Sequence, residues 1–479
     1  MVREDAEPQE KPPEQFDLII IGSGPGGYVA AIRASQLGLR TAVVEKDVKY
    51  GGTCGLRGCI PTKALLHTAA VLDEIKESAS LGIQVAEPVL DLPKAQERKQ
   101  KVVDSNAKGV EYLFKKNKVT GLRGRGRLTG PNEVSVEGPD GTADGTKKYS
   151  ARFILIATGS VPRDIPIAPS DGDKVLTSDH VLELQALPAS LAVLGAGAVG
   201  TEFASIYNSF GSKVTLIEML PRVLPIEDEE VSAELEKVLR RHGIKVMAGT
   251  TMTGFEKTET GVRLALQKGD KSEILEADKL LVAVGRRPVT EDLGLEALGV
   301  ELERGFVKVN PLMQTAVPHI YAIGDVVNTP ALAHVASAEG ILAVEHMAGQ
   351  HVQPINYDRV PSCTYCDPEV ASVGLTEAAA KGRGYDVVTG RFPLSALGKA
   401  RIIGHTEGFV KVVREKKYDE LLGVHIVGAH ATDLIAEACV ALRLEGTNEE
   451  LMHTMHPHPT LSEAVAEAAH VAAGQPIHI

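Results

Sequence analysis

Apolar residues come along this chain in short bursts of strand length, and the bursts close on glycine. FDLIII before GSGPGG, LAVL before GAGAVG, FILIATGS (153–160), LLVAVGRRP (280–288) and IYAIGDV (320–326) each read as an apolar run followed by a turn. Such runs, bounded by glycine, are the pattern of strands buried on both faces, and open α/β sheets take their ligands beyond the carboxyl ends of such strands. Near the C-terminus ATDLIAEACVALRL reads instead as an apolar helix. The longest bursts, LIII and FILIA, fall far short of the roughly 20 residues of a membrane span, so no membrane partner is expected.

The first burst opens a larger pattern. FDLIIIGSGPGGYVAAIRASQLGLRTAVVEK is a strand, then Gly22, Gly24 and Gly27 in G-x-G-x-x-G spacing, then a helix and a second strand ending at Glu45. The glycines let the backbone turn tightly and approach a pyrophosphate at the helix N-terminus, and the terminal acid accepts from a ribose hydroxyl. The pattern recurs in LAVLGAGAVGTEFASIYNSFGSKVTLIEML, with Gly195, Gly197 and Gly200. Glu218 follows Gly195 by 23 residues, as Glu45 follows Gly22. Two copies with one internal spacing predict two dinucleotide sites between which electrons pass. Glu218 accepts from a free ribose hydroxyl and repels a phosphate there, which predicts NAD(H) over NADP(H). Arg222, four residues on, reads as a solvated charge. Asp325, emerging after IYAIG, is placed to hold a ribityl or ribose hydroxyl.

Length and charge narrow the class. At 479 residues the chain has room for about three domains. With 51 basic and 63 acidic residues the net charge is −12, which argues against a nucleic-acid partner. The N-terminal MVREDAEPQEKPPEQ is acidic and proline-rich, unlike a transit peptide or secretory signal, and reads as a disordered tail (1–15) on a cytoplasmic protein. Five cysteines, Cys54, Cys59, Cys363, Cys366 and Cys439, are too few for a secreted disulfide framework.

Cys54 and Cys59 lie in GGTCGLRGCIPTK. In a regular helix residues five apart are separated by about 7.5 Å along the axis, whereas a disulfide needs Cα atoms within roughly 7 Å. Bridging them therefore requires a departure from helix, which Gly55 and Gly58 permit. Pro61 suits a first helical turn, so a helix is predicted from about there through TKALLHTAAVLDEIKESA. That places Cys59 near a helix N-terminus, where the thiolate is favoured. A zinc site lacks nearby partners, and a redox couple is the preferred reading. Lys63, in the same first turn, reads either as an exposed cation or as a flavin-side charge needing a buried anion, for which Glu202 is a candidate.

GGTCGLRGCIPTK, the two fingerprints, ATG, YAIGD and HPHPTLSE, in this order from about residue 16 to the C-terminus, resemble the flavoprotein disulfide reductases. Within them they most closely resemble the dihydrolipoamide dehydrogenase family. The resemblance implies an α/β homodimer with two Rossmann-like dinucleotide-binding domains, for FAD (16–158) and NAD (159–287), a central domain completing the FAD site (288–357) and a C-terminal α+β dimerisation domain (358–479). It implies that Gly22, Gly24, Gly26, Gly27, Glu45, Gly52, Thr53, Lys63, Gly126, Thr158, Gly159, Ser160, Asp325 and Ala333 line FAD. Gly195, Gly197, Gly200, Glu218 and Gly285 would bind NAD. By the same likeness Cys59 is the thiol nearest the flavin, Cys54 is the interchange thiol, and Lys63 with Glu202 forms the flavin-side ion pair. The implied substrate is the dihydrolipoamide arm of a lipoylated carrier domain, a separate chain docked with the acyltransferase core of a 2-oxo acid dehydrogenase complex.

In MHTMHPHPTLSEAVAEAAH the extended prolines are expected to put His456 and His458 on one side, and no cluster completes a metal site. T-x-x-E from Thr460 to Glu463 reads as a capping box. The family pattern H-x-H-P-T-x-x-E adds that His458 is the acid/base and Glu463 orients its ring, both contributed across the dimer, so a monomer is expected to be inactive. Cys363 and Cys366, beside a predicted strand, and Cys439 read as inert thiols. Thr62 and Glu218 disfavour a glutathione reductase, and the ending AAGQPIHI disfavours a mercuric reductase. Two alternatives stand: another NADH-dependent reductase of the class, and a non-catalytic docking scaffold. Gly55, Leu56 and Arg57 replace the family's usual Leu-Asn-Val, so Arg57 is either a solvent-facing charge or a group that lowers the thiolate pKa.

Overall fold

The computed structural model describes residues 14–138 and 146–479. Residues 1–13 of the expected tail lie outside the described residues. Glu14 and Gln15 begin the first strand. The chain forms two compact units.

The first unit takes the described residues through Leu56, then Val103–Val161 and Arg287–Ile355. Strand β1 (Glu14–Ile21) runs parallel to β2 (Thr41–Glu45) on one side and to Lys147–Ile156 on the other. Ile320–Ala322 adds a further parallel strand beside Lys147–Ile156. Leu18, Ile19 and Ile20 are fully buried, which is why the run is continuously apolar. Burying each contributes about 1.5–3 kcal/mol. Helix α1 (Pro25–Gln36) joins β1 to β2 and packs on Ala333–Met347, where Gly26 lets the two backbones meet: a Cβ there would lie 3.0 Å from the Ala336 carbonyl. The carboxyl ends of three adjacent strands therefore deliver Gly22, Thr158 and Asp325 to one crevice, the place where such sheets bind ligands. Helix α2 (Gly52–Arg57) follows β2.

The second unit takes Arg57–Val102, Pro162–Arg286 and Asn356–Ile479. Helix α3 (Cys59–Glu77) begins two residues before the expected Pro61 and makes Cys59 its first residue. The break from helix falls at Gly58, with φ −138° and ψ −113°, whereas Gly55 is buried inside α2. A second parallel sheet carries β3 (Ser190–Leu194), α4 (Ala198–Phe210) and β4 (Lys213–Glu218), with Lys245–Ala248, Lys279–Val282 and Val175–Leu176 completing it. Leu65, Ala69 and Leu72 of α3 share one core with Phe203, Ile206 and Tyr207 of α4. The C-terminal part is a five-stranded antiparallel sheet that starts at β5 (Ser362–Thr364) and is covered by Ala431–Arg443 and α5 (Glu463–Ala472). The whole is α/β, with two Rossmann-like sheets and an α+β C-terminal part. Among the described residues no helix is long and apolar enough to cross a membrane.

Candidate active site

The two fingerprints fold into superimposable local geometry, contact by contact. Gly22 and Gly195 take φ of +107° and +103°, and a Cβ on either would strike the carbonyl of Ala157 at 2.3 Å or of Ala283 at 2.4 Å. Gly27 and Gly200 lie where their helices cross the turn, with a built Cβ 1.9 Å from the Gly22 carbonyl and 1.8 Å from that of Gly195. Gly24 and Gly197, each the N-cap of its helix, have nothing within 4 Å of that position. Each copy thus leaves open space at a helix N-terminus, the cradle that a pyrophosphate fits.

The terminal acids are held alike. Glu45 is 5% exposed and accepts from the Ser23 N–H (2.9 Å) and hydroxyl and from the Asp47 N–H (2.9 Å). Glu218 is 9% exposed and accepts from the Ala196 N–H (2.7 Å) and the Leu220 N–H (2.9 Å). Arg222, expected to be solvated, pairs with Glu229 and donates to the Pro225 carbonyl.

In the first unit the other expected residues gather round Gly24. A Cβ on Gly52 would lie 2.5 Å from the Gly24 Cα, and the Ser23 hydroxyl accepts from the Gly51 N–H. Thr53 and the half-buried Cys54 follow on α2. Thr158 donates to the Val289 carbonyl, and Gly159 opens on empty space. Ser160 donates to Asp325, and Ala333 begins its helix. Gly126 packs against Val44 and Ile21, at 3.0 and 3.1 Å for a built Cβ. Sequence reasoning missed Glu339, which is fully buried and accepts from the Gly324 N–H at 2.7 Å, bracing the turn that presents Asp325. The available signal was an acid beside the apolar GILAV run of AHVASAEGILAVEHM.

In the second unit Cys59 is exposed at the start of α3, and Arg57 is half-buried. One turn on, Lys63 Nζ donates to both Glu202 oxygens at 2.8 Å, the carboxylate being 7% and the lysine 32% exposed. Gly285, with φ +107°, also faces empty space.

His458 and His456 do not share a side. His458 is exposed with Nδ1 2.9 Å from Glu463, whereas His456 turns inward, its Nε2 2.6 Å from Glu437. Glu463 spends its other oxygen on the Thr460 N–H at 2.8 Å. Only half of the expected capping box forms: the Thr460 hydroxyl donates to the Pro457 carbonyl, and the N-cap position of α5 falls at Ser462, whose side chain makes no cap bond. Burial works to raise the Glu463 carboxyl, but the Thr460 N–H and His458 outweigh it and hold it below the usual range. Burial pushes the Cys363 thiol up to about 12, with Cys439 adding to it, and lifts the Cys366 thiol well above its ordinary value. Neither favours a thiolate. Among the described residues no group of three or more His, Cys, Asp or Glu is placed to hold a metal.

Residues 16–340 match the family profile described as pyridine nucleotide-disulphide oxidoreductase, and residues 360–469 match the dimerisation domain of that family. A dihydrolipoyl dehydrogenase of Bacillus subtilis is 46% identical over 476 residues, spanning 97% of this chain and 99% of its own. One of Thermus scotoductus is 47% identical over 469 residues, with the same coverage. The crystal structure of LpdA from Mycobacterium tuberculosis superposes with a TM-score of 0.87 at 29% identity, covering 95% of this chain and 99% of that one.

Proposed function

The chain belongs to the pyridine nucleotide-disulphide oxidoreductase family, and from that premise we propose that it is a dihydrolipoyl dehydrogenase, oxidising dihydrolipoamide to lipoamide and reducing NAD. The near full-length identity of 46–47% to dihydrolipoyl dehydrogenases carries the reading. The paired cradles at Gly24 and Gly197 support it, because they suit FAD and NAD. On this reading residues 16–158 and 288–357 form the FAD-binding part, 159–287 the NAD-binding part and 358–479 the dimerisation domain. The working form is a cytoplasmic homodimer that serves a 2-oxo acid dehydrogenase complex through its lipoylated carrier.

Cys54 and Cys59 form the redox disulfide. His458, oriented by Glu463, takes a proton from one thiol of the substrate. The substrate thiolate attacks Cys54 Sγ, the Cys54–Cys59 bond breaks, and Cys59 leaves as a thiolate stabilised at the N-terminus of α3. The second substrate thiol, deprotonated in turn, attacks the sulfur joined to Cys54, which releases lipoamide and leaves the protein with two reduced cysteines. FAD, held at the Gly22–Gly27 cradle, would supply the electron acceptor that links this dithiol to NAD. Lys63, kept in place by Glu202, would supply the positive charge that a reduced flavin needs. Thr158, Ser160 and Asp325 would hold the cofactor's polar groups.

The test is a panel of disulfides (lipoamide, glutathione, coenzyme A disulfide), each assayed with NADH and NADPH. Lipoamide with NADH is expected to dominate. Preference for another disulfide, or for NADPH, overturns the assignment, and no turnover with any pair identifies a scaffold.

A further inference from the structure

The segment after β5 crosses α4 and makes a contact that the disulfide chemistry does not use. The Tyr365 N–H donates to Glu202 Oε1 at 3.0 Å, so the carboxylate that holds Lys63 is itself held by this turn. Two residues on, the Asp367 N–H donates to the Ser205 hydroxyl at 3.3 Å. Glu202 and Ser205 are three apart on α4 and so lie on one face of the helix. The turn is tied down on both sides of Cys366, and the Tyr365 ring has a fixed origin. That ring lies with its centroid 4.5 Å from Lys63 Nζ, within the range of a cation–π contact. Lys63 is therefore gripped by the two oxygens of a buried carboxylate and by an aromatic face.

We propose that Tyr365 is a positioning residue for the flavin-side cation. Its ring holds the Lys63 ammonium in one orientation against Glu202, so that the charge stays where a reduced flavin needs it. The proposal rests on the flavoprotein reading above and extends it to a residue that no motif marks. Lys63 is one-third exposed and long, so without the ring it samples other rotamers and its mean field at the flavin weakens. The hydroxyl is not the active group. Burial, with Cys363 and Glu369 adding to it, pushes the phenol up to about 12, and the ring stays neutral.

Two measurements on the purified holoprotein test this in Tyr365→Leu and Tyr365→Phe. The first is the rate at which a water-soluble acylating ester modifies Lys63, read by peptide mass spectrometry against the exposed Lys101. The second is the two-electron midpoint potential of the flavin, read by dye equilibration. For Tyr365→Leu the acylation rate is expected to rise about three- to tenfold, the range of one cation–π contact. A threefold to tenfold shift in the oxidised-to-reduced ratio lowers the potential by about 14–30 mV. Tyr365→Phe is expected to match the parent in both. Tyr365→Met, which refills the apolar volume, is measured alongside so that poor folding of one variant leaves a second. The proposal is overturned if Leu or Met behaves as the parent, if Phe shifts as far as Leu, or if acylation changes while the potential does not. A protein that purifies without flavin instead defeats the flavoprotein reading, and the acylation rates then still decide whether the ring grips Lys63.

Discussion

The second fingerprint separates binding from packing within four residues, and two alanine substitutions read the two apart. In Gly197→Ala the new methyl has nothing within 4 Å and the backbone, at φ −73° and ψ −177°, suits alanine. Losing a glycine N-cap to alanine costs about 1 kcal/mol or less. The methyl does, however, occupy the space at the helix N-terminus through which a pyrophosphate reaches the N–H groups. Each such charge-assisted hydrogen bond contributes about 1.5–3 kcal/mol, so NADH affinity is expected to fall about ten- to a hundredfold. In Gly200→Ala the methyl meets the Gly195 carbonyl at 1.8 Å and Val193 Cγ1 at 3.3 Å, and α4 has to lift off β3. Overpacking of this kind costs about 1–3 kcal/mol or more. Thermal unfolding by circular dichroism reports the second effect, and the KM for NADH with an artificial acceptor reports the first. Gly197→Ala should melt with the parent and bind NADH poorly, while Gly200→Ala should melt early. An unchanged KM in Gly197→Ala, or equal losses of stability in both, refutes the division of roles. The same comparison at Gly24 and Gly27 has bound flavin as its readout.

Two further substitutions probe the histidines. His458→Ala is expected to lose lipoamide turnover by about 10²–10⁴-fold, with NADH oxidation by artificial acceptors retained, and equal loss of both would show that His458 is not the acid/base. His242 lies 3.2 Å from Glu407 and 3.6 Å from Asp367, and Glu407 above all raises it from its ordinary value against the opposing effect of burial. A raised folded value means that the charged pair stabilises fully below the unfolded value near 6.5 and fades as pH climbs through the folded one. His242→Asn should therefore lower the melting temperature more at pH 6 than at pH 9, by an amount equivalent to about 0.5–1 kcal/mol, and an equal deficit at both pH values contradicts the pairing.

What the sequence reveals about this fold is what is local in the chain. The fingerprints are legible because three glycines and an acid recur at a fixed spacing within one strand–helix–strand unit, although the close approach that makes the first glycine necessary comes from a neighbouring strand, at Ala157 or Ala283. The entry to α3 is legible for the same reason, although Pro61 marks its third residue and not its first. Contacts between distant segments leave weaker traces. Lys63 meets Glu202 across 139 positions, and the pair is anticipated only because a flavin-side cation needs a buried anion and because the family resemblance implies it. Tyr365 joins the same cluster from 163 positions beyond Glu202 through its backbone N–H, which no side-chain pattern records. Lys411 sits on a central strand, 1% exposed, with Asp228 at 3.0 Å, Glu230 at 2.7 Å and Glu377 at 2.8 Å. Nothing in VKVVRE marks that lysine as buried, because its partners come from elsewhere in the fold.

The caged acids sharpen the expectation of NAD over NADP. An acid at the end of a strand discriminates against a ribose phosphate only if it stays put, since an exposed glutamate can swing away at the cost of a rotamer. Glu218 cannot do so cheaply. Its two oxygens are held separately, one by the Ala196 N–H and the other by the Leu220 N–H, and the group is buried. Turning it would strand two buried N–H donors, at about 1–3 kcal/mol each. Each oxygen keeps a second lone pair for a ribose hydroxyl, so the cage leaves the favourable interaction intact and makes the unfavourable one unavoidable. Glu45 is held by the equivalent N–H groups and by the Ser23 hydroxyl besides. The acid of each fingerprint is therefore part of the turn that the glycines build, which accounts for the identical 23-residue interval: the carboxylate has to reach back to the residue after the first glycine.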